Sequence, residues 1–339
     1  MRGDRPARGR GDALAPVGRR GYPAAMRRLR SFRDLDDTDR GASAAIGNFD
    51  GVHLGHQAVI ARAAAVARDR GAPLGVVTFE PHPREVFAPD APPFRLTGPD
   101  TRAHRLARLG VDRLYELPFD AAMIALSPED FAREVLAEGL GLSHVVIGRD
   151  FRFGKGRAGG ADELVALGRD LGFGVTVADL DDADGEAISS TRIRAALSAG
   201  EPRLAARLLG HLHRIDGPVI HGAKRGRALG YPTANMAMEG LHLPRLGVYA
   251  VRVDLLDGPQ AGAYGGVASL GVRPMFGENA PNLETFLFDF DGDLYGRELS
   301  VGLVEFLRGE ERFDSVETLV AQMDRDAARA RAILAADSA

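Results

Sequence analysis

The chain has 339 residues and no cysteine. That absence excludes disulfides, thiolate nucleophiles and Cys-ligated zinc or iron–sulfur centres, so any chemistry falls to hydroxyls, carboxylates, imidazoles and cations. No apolar run approaches the ~18 residues needed to cross a bilayer, and the opening lacks the apolar segment of a secretory signal. A cytoplasmic protein without a membrane partner is expected. Lysine is nearly missing: of 43 basic residues only Lys155 and Lys224 are lysines, both in Gly-rich loops. A general surplus of positive charge is missing too. The net charge of −4 divides into +7 over the first thirty residues, with nine Arg and two Asp, and −11 over the rest, so the whole chain does not read as a nucleic-acid binder. Residues 1–25 are rich in Gly, Pro and Arg without a hydrophobic period, which predicts a disordered extension. Met26 begins a more conventional start, Met-Arg-Arg-Leu-Arg-Ser-Phe.

The length exceeds one ordinary compact core, and two periodicities divide it. From Ser43 to about Leu209, strand-like runs at Ala44–Gly47, Leu74–Phe79, Arg113–Leu117, His144–Gly148 and Val175–Leu180 alternate with helical stretches. Val59, Ala63, Val66 and Ala67 form one buried stripe of the first helix, and Ser127-Pro128-Glu129-Asp130 has the cap, proline and acids of a helix start. Five strands joined by helices predict a doubly wound, mostly parallel sheet. After His211 the period becomes two, as in Val248–Leu255 and Leu283–Phe290, with turns at Asp257-Gly258-Pro259 and Asp291-Gly292-Asp293. A terminal helix from about Ser315 to Ala336 carries Val316, Leu319, Val320, Met323 and Ile333 on its apolar side. The expected fold class is α/β, with a parallel-sheet domain over 26–210 and a small antiparallel β-barrel plus terminal helix over 211–339.

The first strand runs into Gly47-Asn48-Phe49-Asp50-Gly51-Val52-His53-Leu54-Gly55-His56 and then a helix. Glycines let backbone approach a phosphate, and a helix N-terminus offers free N–H groups and partial positive charge. Two surface histidines, or a two-His metal site, read almost equally well from His-x-Gly-His alone. Further motifs follow in order: Thr78-Phe79-Glu80-Pro81-His82-Pro83, Gly148-Arg149-Asp150-Phe151-Arg152-Phe153-Gly154 and Ile188-Ser189-Ser190-Thr191-Arg192-Ile193-Arg194. Gly154-Lys155-Gly156-Arg157-Ala158-Gly159 mimics G-x-G-x-x-G but does not form the first strand-to-helix turn, so no Rossmann dehydrogenase is expected; nor is a Walker A loop, because the preceding Gly is one position too far and Gly156 stands where a Ser or Thr would bind Mg²⁺. In the second half, Gly222–Asn235 joins a basic loop to Pro232-Thr233-Ala234-Asn235, whose Thr and Asn offer hard oxygens. Strand alternation puts Glu284 on one face with Phe286, Phe288 and Phe290.

Together these motifs resemble the bacterial bifunctional riboflavin kinase/FMN adenylyltransferases of the nucleotidyltransferase superfamily, over roughly Met26 to Ala336. The resemblance implies that one domain makes FMN from riboflavin and the other FAD from FMN, each with ATP. It implies ATP contacts by Asn48, Asp50, Gly51, His53, His56, Ser190, Thr191 and Arg192 in the first domain and by Lys224, Gly226, Arg227 and Thr233 in the second. By the same resemblance Asp150 and Phe151 lie on the flavin side, and His53, His56, Asp150 and Arg192 serve adenylyl transfer. Glu284 becomes the flavin-adjacent general base, and Thr233 with Asn235 the ligands of an ATP-bound Mg²⁺. Phe286 and Met275 depart from the His and Thr more usual there, which puts kinase rate and flavin affinity in doubt. The expected partners are riboflavin, FMN and ATP, with no nucleic acid and self-association left open. Two other readings stay open: an adenylyltransferase whose barrel only binds flavin, and a non-enzymatic protein acting through its basic tail.

Overall fold

The computed structural model describes residues 26–178, 188–222, 230–275 and 278–337. The basic opening and the loop holding Lys224, Gly226 and Arg227 lie outside the described residues.

The first half is a six-stranded parallel sheet in the order β1-β4-β3-β2-β5-β6. Its strands are β1 (Arg27–Leu29), β2 (Ser43–Ile46), β3 (Leu74–Glu80), β4 (Arg113–Pro118), β5 (His144–Gly148) and β6 (Gly174–Ala178). β1 is additional to the expected five; this edge strand of Arg-Arg-Leu has no apolar alternation to betray it, and it pairs only with β4. Alternation along β2 feeds two cores: Ala44 and Ile46 join Val77, Val135, Leu136 and Ile147 on one face, while Ala45 joins Val59, Ile60, Val76 and Leu106 on the other. Helices cover both faces, so the sheet is doubly wound as expected. Helix α1 (Leu54–Arg70) buries Val59, Ile60, Ala63 and Ala67 and stops at Gly71 in the left-handed region. Full burial of each larger side chain there contributes roughly 1.5–3 kcal/mol. The other helices used below are α2 (Pro83–Phe87), α3 (Pro99–Arg108), α4 (Ala121–Ala125), α5 (Pro128–Asp130), α6 (Ala161–Leu171), α7 (Ser190–Ala199) and α8 (Pro202–Leu209). Ser127 Oγ caps α5 by accepting from Asp130 N at 3.0 Å, and the chain continues in a wider π-helical coil through Phe131–Gly139.

After the left-handed Gly210 that closes α8, six antiparallel strands curl in the order β7-β12-β9-β10-β11-β8. They are β7 (His213–Pro218), β8 (Ala234–Ala237), β9 (Gly247–Leu255), β10 (Gly262–Met275), β11 (Glu278–Leu287) and β12 (Glu298–Arg308). The barrel nearly closes where Ile220 N donates to Asn235 O at 2.8 Å. β11 begins earlier and ends earlier than the alternation predicts, because Asp289 turns the chain with φ +56°. Helix α9 (Val316–Ala336), capped by Ser315, packs Ala330 and Leu334 against Val248, Val304 and Phe288. Its expected apolar side shifts accordingly: Val316 is 55% exposed, and buried Asp326 is held by Arg308 at 2.8 Å. The halves are sewn together by His242 N to Arg95 O (2.7 Å), Arg245 N to Leu197 O (2.9 Å) and the contact of His211 Nε2 with Gly51 O (3.1 Å).

Candidate active sites

β2 and β5 are neighbours in the parallel sheet, yet β2 leads towards β3 on one side and β5 towards β6 on the other. The Gly47–His56 loop and the Asp150–Phe153 segment leave the C-terminal ends of these two strands, the crevice where open α/β sheets bind ligands. Gly51 has φ +81°, and a Cβ there would lie 2.8 Å from Leu96 Cδ1, so glycine is required on two counts. Asn48 is exposed, and its carbonyl accepts from Thr78 Oγ1 at 3.2 Å and Arg102 Nη1 at 3.3 Å. Asp50, expected at the phosphates, turns its carboxylate inward. It accepts from Leu96 N (2.7 Å), Thr97 N (3.2 Å) and Arg194 Nη1 (3.0 Å), while its carbonyl accepts from Ser190 Oγ at 3.0 Å. Burial pushes the Asp50 pKa up, against the pull of those hydrogen bonds and of Arg194.

His53 and His56 stack with ring centroids 3.6 Å apart, and Phe49 meets His56 edge-on at 5.2 Å. Burial, with Arg194 adding, pushes the His53 pKa down to about 4, and burial beside His53 lowers that of His56 well below its ordinary value. Both rings are therefore neutral at pH 7. His53 Nδ1 accepts from His56 N at 3.3 Å as the cap of α1, which assigns the His53 proton to Nε2. Gly55 leaves room for the His53 ring that caps α1: a Cβ there would stand 3.2 Å from His53 Nδ1. Two helix N-termini, those of α1 and α7, thus converge through Asp50, Arg194 and Ser190, and their free N–H groups favour an anion. Ser189 Oγ accepts from Arg192 N at 3.3 Å, leaving Thr191 exposed and Arg192 half-buried at the mouth. Asp150 is exposed just beyond β5, whereas Phe151 stacks on Phe153 at 5.7 Å and Phe153 is buried against Phe131.

A buried ion network behind the loop escaped the sequence reading. Arg102, only 2% exposed, donates to Glu80 Oε2 and Glu116 Oε1, both at 2.9 Å, as well as to the Asn48 carbonyl. Arg95 pairs with Glu80 at 2.6 Å and with Glu85, and Arg28 reaches Glu116 at 2.8 Å. The Gly154–Gly159 decoy forms an exposed turn in which Gly154, at φ +72°, abuts the Pro128 backbone.

In the barrel, Asn235 on β8 and Glu284 on β11 face each other as a cross-strand pair. Asn282 Nδ2 joins them, donating to Asn235 Oδ1 at 2.9 Å and to Glu284 Oε1 at 3.4 Å. Thr233 and Asn235 line a cavity of about 90 Å³ with Leu287, Phe290, Leu294 and Tyr295. Glu284 stands one strand over, half-buried. The aromatic face expected beside it is divided. Phe288 is buried beneath α9 under the Arg331 guanidinium, and Phe286 contacts Tyr231 at 4.9 Å. Phe290 lies past the turn at Asp289 and alone of the three lines the cavity. The lining suits a hard cation, with an amide oxygen on Asn235 and a hydroxyl on Thr233; Asn282 Oδ1, on the residue bonded to Asn235, is buried without a hydrogen-bond partner.

Two converging helix N-termini at the switch point of a parallel sheet, joined to a nearly closed barrel with its own polar cavity, define a two-site protein of the α/β-plus-barrel class. The FAD synthetase family model matches residues 35–192, and the riboflavin kinase model matches 209–334. A bifunctional riboflavin kinase/FMN adenylyltransferase from Pseudomonas fluorescens is 45% identical over 311 residues, covering 91% of this chain and 98% of its own. Its counterpart from Escherichia coli K12 is 39% identical over 308 residues, covering 90% and 97%. A solved structure described as a macrolide-efflux protein from Streptococcus pneumoniae matches with TM-score 0.76 and 32% identity, covering 89% of this chain and 97% of that one. Among the described residues no helix is long and apolar enough to cross a membrane. The chain belongs to the bifunctional riboflavin kinase/FMN adenylyltransferase family.

Proposed function

We infer that the barrel half phosphorylates riboflavin to FMN with ATP, and that the parallel-sheet half joins FMN to a second ATP to give FAD and pyrophosphate. What carries this reading is the presence of two separate polar sites, each within the span matched by the corresponding family model. A division into 26–210 and 211–339 follows the change of sheet, and the setting is the cytoplasm.

In adenylyl transfer an FMN phosphate oxygen attacks the α-phosphorus in line and pyrophosphate leaves, so the protein's task is positioning and charge stabilisation. Neutral His53 and His56 act as N–H donors, not as cations. Free N–H groups of α1 and α7, with Ser190, Thr191 and Arg192, hold the triphosphate, and Asp150 and Phe151 border the flavin. Asp50 acts from behind, clamping the loop to α7. In the kinase, Glu284 takes the proton of the riboflavin 5′-hydroxyl as that oxygen attacks the γ-phosphorus and ADP leaves. Thr233 and Asn235 would hold Mg²⁺, which supplies charge neutralisation on the phosphates.

Riboflavin supplied with labelled ATP tests both halves at once. ADP release with riboflavin and pyrophosphate release with FMN are expected; pyrophosphate from FMN without ADP from riboflavin would leave an adenylyltransferase with a flavin-binding barrel.

A further inference from the structure

Where α3 of the first half meets β7 of the second lies a cavity of about 70 Å³ that neither reaction uses. Three guanidiniums border it: Arg105 and Arg108 from α3 and Arg214 from β7. The neighbouring carboxylates are already matched to other groups. Asp254 holds Arg214 at 3.1 Å, with Arg108 at 3.9 Å, and Asp216 lies 3.5 Å from His104. Arg105 has no such partner: among the described residues it makes no ion pair or hydrogen bond, and its Nε is buried without an acceptor. Burial and the like charges of Arg108 and Arg214 all oppose its charged form. His211 and His213 add no charge, because burial pushes their pKa values down to about 4 and about 3.

A half-buried cation facing two others without an anion is unfavourable, and the planar fork of a guanidinium matches an oxyanion. A carboxylate of the lining adds a second requirement. Asp216 lines the cavity, and its Oδ1 is buried and accepts no hydrogen bond. An occupant must therefore give negative oxygens to Arg105 and a proton to Asp216. The volume suits one small oxyanion, since a water's share of the liquid is about 30 Å³.

We propose that this junction cavity binds a protonated phosphate, with P–O⁻ oxygens on Arg105 and its P–OH on Asp216. Sulfate has the same shape but no proton at neutral pH, so the cavity selects phosphate over sulfate. The cavity also abuts the first site. Thr97 Oγ1, on its wall, accepts from Gly51 N at 3.2 Å, and His211 Nε2 lies 3.1 Å from Gly51 O.

The test is calorimetric titration of the full chain with inorganic phosphate, with both nucleotide sites saturated by a non-hydrolysable ATP analogue. One phosphate per chain is expected, with sulfate at least tenfold weaker. Arg105→Gln should weaken phosphate at least tenfold, and Arg108→Gln, on an exposed side chain, should weaken it less. Asp216→Asn, which can donate as well as accept, should abolish the preference over sulfate. No binding once the nucleotide sites are filled, equal affinity for phosphate and sulfate, or unchanged affinity in both arginine variants would each overturn the proposal. Should Arg105→Gln fail to fold, Arg108→Gln and the sulfate comparison still decide. Pyrophosphate is expected to bind no tighter than phosphate; tighter binding would reassign the cavity to a diphosphate or nucleotide tail.

Discussion

The two halves fix their sites by opposite means. In the parallel-sheet half the residues of the Gly47–His56 loop are held from behind by partners remote in sequence: Asp50 by Leu96, Thr97 and Arg194, and the Asn48 carbonyl by Arg102. In the barrel half the key pair is set by strand register, Glu284 opposite Asn235, with Asn282 two residues along the same strand. A loop at a strand end has no geometry of its own and must borrow rigidity, whereas neighbouring strands supply it directly. Damage to the first site should therefore propagate from a distance, and damage to the second should stay local.

The largest expected effect tests the local half. Glu284→Gln keeps shape and removes the base, so riboflavin phosphorylation should fall ~10²–10⁴-fold. FMN adenylylation should change less than about tenfold, roughly 1.4 kcal/mol of barrier. One purified variant with ADP and pyrophosphate quantified separately measures both, and near-normal kinase turnover eliminates Glu284 as the base. Next comes the remote prop. Arg102→Met removes the cation shared by Glu80 and Glu116, which keep Arg95 and Arg28, so the cost should fall below the roughly 3–5 kcal/mol of a buried charge left wholly unpaired. Urea denaturation should show that loss, and adenylylation in the surviving folded fraction should suffer more than phosphorylation. If the two activities fall together, Arg102 does not serve the first site in particular.

His53→Ala or His56→Ala should slow FAD formation by ~10²-fold, the scale of losing one preorganised donor, while riboflavin phosphorylation continues. Equal loss of both activities in folded protein would count against separate sites. Asn235→Ala should raise the Mg²⁺ concentration needed for half-maximal kinase rate by about tenfold, the weight of one hydrogen bond or ligand oxygen to a charged group. A Mg²⁺ titration that leaves FMN formation unchanged removes Asn235 from the metal. The smallest effect concerns acid. His53, His82 and His211, each with a pKa pushed down to about 4 by burial, are neutral when folded and titrate near 6.5 when unfolded. Their contribution to stability is complete above about pH 6.5 and is lost as pH falls towards 4, because the unfolded chain takes up protons first. The melting temperature should drop between pH 7 and pH 5.

Much of this was legible in the sequence because short-range signals carried it. The apolar strands, the Ser127 cap, the start of the last helix near Ser315 and the glycine at position 51 follow from local sterics and hydrogen bonding, and the structure has them. The readings that shifted depend on neighbours. Alternation along Leu283–Phe290 shows which residues share a face but not that Asp289 breaks the strand before Phe290, nor that α9 covers Phe288. Val316 fits the helical stripe yet lies where α9 has nothing to cover it. The charged β1 lacks any periodic signal. Asp50 is the sharpest case, since its motif suggests a ligand contact while its partners are 46 to 144 residues away.

That distance sets an order of assembly. All six parallel strands are complete by Ala178, but Ser190 and Arg194, which join the Gly47–His56 loop to α7, come later in the chain. A nascent polypeptide emerging N-terminus first can thus form its sheet before its cradle, with Asp50 awaiting its counter-charge. Truncation after β6 would leave a recognisable scaffold without a nucleotide grip, and extension through α7 alone should restore ATP binding to that scaffold.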